Sequence, residues 1–260
     1  MQTDEAIARV TTPEEVDSLI ERLYGAQLGE GVVHVTAVWR DPASGLRTLA
    51  INEATPKSRH DLFVLDLARA RSDALLTTGK ILRDEPEMTH DLQSPAADAL
   101  HSWRRQKHGK HQQPLTVVLT RGDGLDLDHP AFRGWTRPLV FTSLEARDAL
   151  AEEASLGGIE VVGVAEPNAR TAIDYLKRER GCRAITVEAG PSTNVPLYDD
   201  PAAIDELMLS VYEGESLDTA AQGDLFLDPE RLKKLFPWRS AGYRAQSLDG
   251  PWSFLRLVRG

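Results

Sequence analysis

Ile185-Thr-Val-Glu-Ala-Gly-Pro-Ser-Thr193 is an apolar strand that ends in a carboxylate, turns on small residues and restarts on proline and two hydroxyl residues. In open α/β sheets the ligand crevice lies at the carboxyl ends of the strands. Small residues let the backbone approach a phosphate, and free N–H groups at a helix start attract anions. Ala189 and Gly190 therefore suit a diphosphate contact, with Ser192 and Thr193 as further donors. Glu188, at the strand end, suits a hydrogen bond to a polar substrate ring. Taken alone, the stretch reads first as an ordinary strand-to-helix turn with a capping serine.

The neighbouring segments place this turn in an alternating pattern. Upstream, Leu115–Thr120, Arg137–Thr142 and Ile159–Val162 read as strands, Leu144–Leu156 as a helix, and Asn168 caps a helix reaching Arg180. Strands separated by helices of this length imply crossover units and a largely parallel sheet. Ser72-Asp-Ala-Leu-Leu-Thr-Thr-Gly79 is a second buried strand running into a glycine turn, followed by Lys80-Ile-Leu-Arg-Asp-Glu-Pro86. Nearer the N-terminus, Thr12 and Glu15 form a capping box for a helix over about 13–25, with Pro13 at its first position. Gly31 to Trp39 is β-rich and Asp41 to Gly45 is a turn, so 46–52 is expected to return as a hairpin strand. A further helix starts at Ser58. Residues 91–113 carry seven basic or histidine residues and no periodic apolar face except around Leu100 and Trp103, which predicts a mobile surface insertion. Two long β-rich runs, 204–212 and 252–258, are expected as antiparallel strands on one edge. No repeat or linker divides the chain, so a single domain over 1–260 is expected, with 1–29 as a helical extension.

Composition narrows the function. Thirty basic residues against forty acidic ones leave a net charge of −10, which argues against nucleic acid or a membrane surface as partner. It leaves room for a small anionic ligand held by local donors. One cysteine, Cys182, allows neither an internal disulfide nor a thiolate metal cage and points to the reducing cytoplasm. No apolar run approaches the roughly 18 residues that span a bilayer. His108 and His111 lie three apart, but without a nearby carboxylate or cysteine they read as part of a solvated basic loop, and no metal site is expected. No Gly-x-Ser-x-Gly, Walker or GxGxxG pattern follows a strand.

Together, the two turns and the strand Asp205-Glu-Leu-Met-Leu-Ser-Val-Tyr-Glu-Gly214 resemble the RibD C-terminal family, the reductase domain of riboflavin biosynthesis. In that family an Asp-Ala-apolar-apolar strand leads into Gly-x-Gly-Thr-x-x-x-Asp-x-Pro. Thr77-Thr-Gly-Lys-Ile-Leu-Arg-Asp-Glu-Pro86 keeps Gly79, Asp84 and Pro86 of it. The family's Glu-Gly-Gly-Pro-Ser/Thr turn matches Glu188 to Ser192.

The resemblance implies a dihydrofolate-reductase-like α/β fold: a central mostly parallel sheet flanked by helices, with antiparallel C-terminal edge strands. It implies an NADPH-dependent reductase converting the ribosylamino group of a pyrimidine 5′-phosphate to ribitylamino, and a homodimer joined through edge strands. Gly79, Ala189, Gly190 and Ser192 would line the cofactor, and Glu188 and Asp84 would face substrate or the nicotinamide end. The family's Ser-Leu-Asp-Gly is replaced here by Val35-Thr-Ala-Val-Trp-Arg-Asp-Pro42, where Thr36 and Asp41 stand as substitutes for the Ser and the Asp. Lys80 occupies a threonine position and suits a phosphate as a point charge. Arg121, after the strand ending at Thr120, is placed for the 2′-phosphate, with Thr142 and Ser143 adding hydroxyls. These departures keep a second class open: a family member that has lost catalysis and serves as a ligand-binding or assembly module. The His-x-Glu and Cys-x-x-Cys pattern of a zinc deaminase is absent from the sequence.

Overall fold

In the computed structural model, which describes residues 2–25 and 28–259, the alternating runs become one mixed sheet with helices on both faces. Met1, Ala26, Gln27 and Gly260 lie outside the described residues, and with the first three part of the expected 1–29 extension. The strands are β1 (Gln2–Thr3), β2 (Gly31–Asp41), β3 (Gly45–Leu49), β4 (Ala74–Thr78), β5 (Leu115–Leu119), β6 (Arg137–Ser143), β7 (Glu160–Val164), β8 (Ala184–Val187), β9 (Glu206–Tyr212), β10 (Gln222–Leu225), β11 (Trp238–Arg239), β12 (Tyr243–Ser247) and β13 (Gly250–Val258). The helices are α1 (Glu5–Ala8), α2 (Pro13–Tyr24), α3 (Arg59–Arg71), α4 (Gly79–Asp84), α5 (Ala97–His108), α6 (Leu144–Leu156), α7 (Ala169–Glu179), α8 (Pro191–Asn194) and α9 (Pro229–Leu235).

The strand order β9-β2-β8-β4-β5-β6-β7 is parallel throughout, as helical crossovers require. β13 and β12 continue it antiparallel beyond β9, and β3 returns from β2 as the expected hairpin. One expectation is corrected. The run 204–212 is no antiparallel edge strand: β9 lies parallel to β2, from Val33 opposite Glu206 to Trp39 opposite Tyr212. Its other side pairs antiparallel with β13, and all its residues are buried. The chain reaches it from β8 through α8, a crossover that restores the parallel direction. On this side of the sheet antiparallel pairing begins at β13.

On one face α2, α3 and α5 bury Leu19, Phe63, Leu67, Leu100 and Trp103 against Val33 and Met208 of the sheet. On the other, α7 and α9 cover Ile185, Leu207 and Leu257 with Ile173, Leu176 and Phe236. The α2 capping box forms as the spacing predicts, with Thr12 Oγ1 accepting from the Glu15 N–H and Gly25 closing the helix at φ 66°. Among the described residues, no helix is long and apolar enough to cross a membrane.

The expected mobile insertion over 91–113 is corrected as well. Its central part is helix α5, anchored by fully buried Leu100 and by Trp103, whose indole donates to Asp17 at 2.7 Å. Three of its basic side chains have partners, while Arg105 and His111 stay exposed. Arg104 is buried and donates to the carbonyls of Ala70, Ser72 and Gln112; Lys107 pairs with Glu14 and Lys110 with Asp73. Two large apolar anchors and satisfied charges hold a helix whose average composition is strongly polar.

Candidate cofactor and substrate site

The strand register aligns the predicted residues along one rim. Val187 stands opposite both Leu76 and His34, and the Glu188 N–H donates to the Leu76 carbonyl at 2.8 Å. Thr78 stands opposite Leu119, which stands opposite Phe141. The carboxyl ends of β8, β4, β5 and β6 are therefore neighbours. The chain leaving them carries Glu188 to Thr193, Gly79 and Lys80, Arg121, and Thr142 with Ser143. Thr36 lies half-buried on β2, two residues past His34.

The two glycine turns differ in the room they leave. Gly190 has φ −71° and ψ 169°, a backbone any residue adopts, and no atom lies within 4 Å of where a Cβ would stand. Its glycine therefore leaves open ground above the turn. Ala189 has no positive φ, so its methyl is accommodated without strain. Gly79 is constrained from the other side: a Cβ there would meet Thr120 Oγ1 at 2.9 Å, so its glycine lets β4 turn tightly against the end of β5. Thr78 Oγ1 caps α4 by accepting from the Ile81 N–H.

The remaining predicted residues divide. Ser192 is exposed and Thr193 half-buried beside Gly190, and Arg121 is exposed beyond β5. Thr142 is fully buried with its hydroxyl unpartnered, whereas Ser143 caps α6 through the Ala146 N–H at 3.1 Å. Lys80 and Asp84 pair with each other one turn apart on the exposed side of α4. Asp41 is held in its own hairpin turn, accepting from Ala43, Ser44 and Arg47.

Glu188 is gripped by Arg69 of α3, whose Nε and Nη2 donate to its two oxygens at 2.9 and 2.7 Å. Arg69 also donates to the Asp91 carbonyl at 3.1 Å and is 5 % exposed. Burial pushes the Glu188 carboxyl up, but the Arg69 charge and its hydrogen bonds outweigh it and hold the group below the usual carboxylate range. Beside this pair, burial and then the Glu188 charge raise Glu85, and burial takes the His90 imidazole down to about 4. Beneath the turn lies a buried polar chain. Asn194 Nδ2 donates to the Ala189 carbonyl and approaches His34 Nε2 at 2.8 Å, and His34 Nδ1 lies 2.6 Å from the Tyr198 hydroxyl.

Arg69, Glu85, His90, His34, Asn194 and Tyr198 are missed by the sequence reading. One signal existed for the first: Arg69 and Arg71 both sit in the last turn of a helix, directly before a buried strand. Two such charges need carboxylates, and Glu188 and Glu206 supply them.

The RibD C-terminal domain model matches residues 46–212 of the chain. Comparison with curated proteins finds no match in sequence. Among solved structures, the pyrimidine reductase-like protein of Corynebacterium diphtheriae is similar at 18 % identity and a TM-score of 0.64, covering 96 % of this chain and 100 % of that one. RibD of Acinetobacter baumannii is similar at 19 % identity and a TM-score of 0.58, over 89 % of this chain and 59 % of that one. This chain thus matches about three-fifths of the length of that RibD. The riboflavin biosynthesis reductase of Saccharomyces cerevisiae is similar at 14 % identity and a TM-score of 0.53, over 95 % of this chain and 100 % of that one.

Proposed function

The chain belongs to the RibD C-terminal domain family, and from that membership we propose that it binds NADPH along the rim and reduces a small polar substrate. The first candidate is 5-amino-6-(5-phosphoribosylamino)uracil, the reductase substrate named for a relative of similar fold from Thermotoga maritima.

The observation that carries this reading is the open backbone at Gly190, on a strand end directly beside the Gly79 turn. The residues present fit a dinucleotide. The turn offers a backbone approach that no side chain blocks, flanked by the hydroxyls of Ser192 and Thr193. In a chain of net charge −10 the donors for a polyanion must be local. Ala189, Gly190, Ser192 and Thr193 would hold the diphosphate, with Gly79 and Lys80 from the adjacent strand end. Arg121 would take the 2′-phosphate, beside Thr142 on the next strand. When bound, NADPH supplies a hydride.

The protein's own part is to place the substrate carbon against the nicotinamide and keep water out. Glu188, ionised by Arg69, accepts hydrogen bonds from the N–H groups of a polar ring and orients it. In this reading Thr36 and Asp84 would face the substrate from β2 and α4. A homodimer through the sheet edge and a cytoplasmic setting, suited to the lone thiol of Cys182, complete the proposal.

A second reading has one observation in its favour. Where the family carries Ser-Leu-Asp-Gly, this chain has Val35 to Pro42, with Asp41 held in its own hairpin turn. A member that binds the cofactor without turnover would look like this. Incubation with NADPH and the ribosylamino-pyrimidine phosphate separates the two. Loss of NADPH absorbance with formation of the ribitylamino product supports the reductase; binding without oxidation assigns the second reading.

A further inference from the structure

We propose that His34 is a positioning residue, which through Asn194 locks the Ala189–Gly190 peptide so that the Gly190 N–H faces the open side of the turn. The inference rests on the cofactor reading above and adds to it the device that orients the phosphate donor.

The assignment follows from hydrogen-bond chemistry. Asn194 Nδ2 contacts two groups, the Ala189 carbonyl and His34 Nε2. A carbonyl only accepts, so the amide must turn its NH2 toward it. The same NH2 then donates to His34 Nε2, which must be unprotonated. The ring proton therefore sits on Nδ1 and is donated to the Tyr198 hydroxyl at 2.6 Å. An imidazolium would direct a second N–H at the Asn194 NH2, so the ring stays neutral. Burial acts in the same direction, taking His34 down to about 3. His34, Asn194 and Tyr198 are each 2 % exposed, and Phe226 packs against both rings.

Asn194 Oδ1 has no hydrogen-bond partner. An orphaned buried acceptor is costly, so the residue is explained by what its NH2 holds. That object is the Ala189 carbonyl. The Ala189–Gly190 bond is not among the cis peptides, and in a trans peptide the carbonyl and the following N–H point in opposite directions. With the carbonyl tied down to Asn194, the Gly190 N–H is directed away from the core. It faces the side where nothing lies within 4 Å of a Gly190 Cβ position. A flipped peptide would instead present a carbonyl to the phosphate and repel it.

Three measurements on the full chain test this. Nitrogen-15 NMR of the ligand-free protein should show His34 protonated at Nδ1 and bare at Nε2; an Nε2–H tautomer overturns the proposal. In His34→Leu the Gly190 amide signal should shift, and in His34→Gln, whose side-chain oxygen can replace Nε2 as acceptor, it should return toward its original position. An unshifted Gly190 signal in folded His34→Leu overturns it too. NADPH affinity should fall roughly tenfold or more in His34→Leu and recover in large part in His34→Gln. Wild-type affinity in His34→Leu refutes the positioning role. Absence of NADPH binding by the wild-type protein refutes the cofactor reading instead, while the two NMR results still decide the lock.

Discussion

Replacing Arg69 by Met removes the basic group bonded to Glu188 while keeping most of the apolar volume of the side chain. Both side chains are nearly closed to water, at 6 % and 12 % exposure, and two hydrogen bonds join them. Removing one partner of such a pair leaves an uncompensated charge in the interior and costs about 3–5 kcal/mol at neutral pH. The sign of the pH dependence then reverses. In the native protein the Glu188 carboxyl is held low, so its pair stabilises the fold above the unfolded carboxyl value and that contribution is lost as pH falls. In Arg69→Met burial is opposed only by the smaller influence of His90 and lifts the carboxyl above its unfolded value. Protonation then relieves the buried charge, and each unit of that shift returns about 1.4 kcal/mol. Urea unfolding over a pH series should show a deficit of about 3–5 kcal/mol near neutrality that shrinks toward about pH 5. Adding Glu188→Gln should recover much of the loss at neutral pH. A deficit below about 1 kcal/mol, or one of constant size across the series, refutes the account of this pair.

Three further outcomes are expected. Gly79→Ala forces a methyl against Thr120, whose Cβ would lie 3.2 Å away and whose hydroxyl is held by the Gly122 N–H, and should cost about 1–3 kcal/mol in thermal or urea unfolding. The cost should be smaller in a Thr120→Ala background. Trp103→Ala should lower stability by about 3–5 kcal/mol, because α5 is an anchored helix; a change within about 0.5 kcal/mol would return 91–113 to a loose surface segment. Arg121→Ala should weaken NADPH roughly tenfold while leaving NADH nearly unchanged, read by parallel titrations. Equal loss for both nucleotides would detach Arg121 from the 2′-phosphate.

Much of the architecture is legible in local sequence. Thr12, Glu15 and Gly25 state the limits of α2, and the strand-end turns at Gly79 and Gly190 declare themselves by small residues after apolar runs. What escapes is carried by partners distant along the chain. Arg69 and Glu188 are 119 positions apart, and no periodicity links them. Glu188 reads as an unpaired carboxylate until the helix face opposite it is known. His34 sits inside an apolar β-run, where nothing local reveals that Asn194 and Tyr198 close around it. The direction of β9 depends on the crossover through α8, a helix of four residues too short to show a period. In α5 Leu100 and Trp103 are visible in the sequence, but the polar average gives them too little weight as the two side chains that decide its packing.

The central claim is that the backbone at Gly190 receives the cofactor. Its conformation tolerates any side chain and the space beside it is open, so Gly190→Asp should fold with unchanged stability while setting a carboxylate where the diphosphate binds. Direct fluorescence titration of NADPH against wild-type and Gly190→Asp protein, with melting curves alongside, is the measurement that tests this. The account predicts saturable binding by the wild-type chain, tighter for NADPH than for NADH, and its abolition in a fully folded Gly190→Asp variant. Absence of binding at millimolar NADPH, or the same affinity in both proteins, would contradict it.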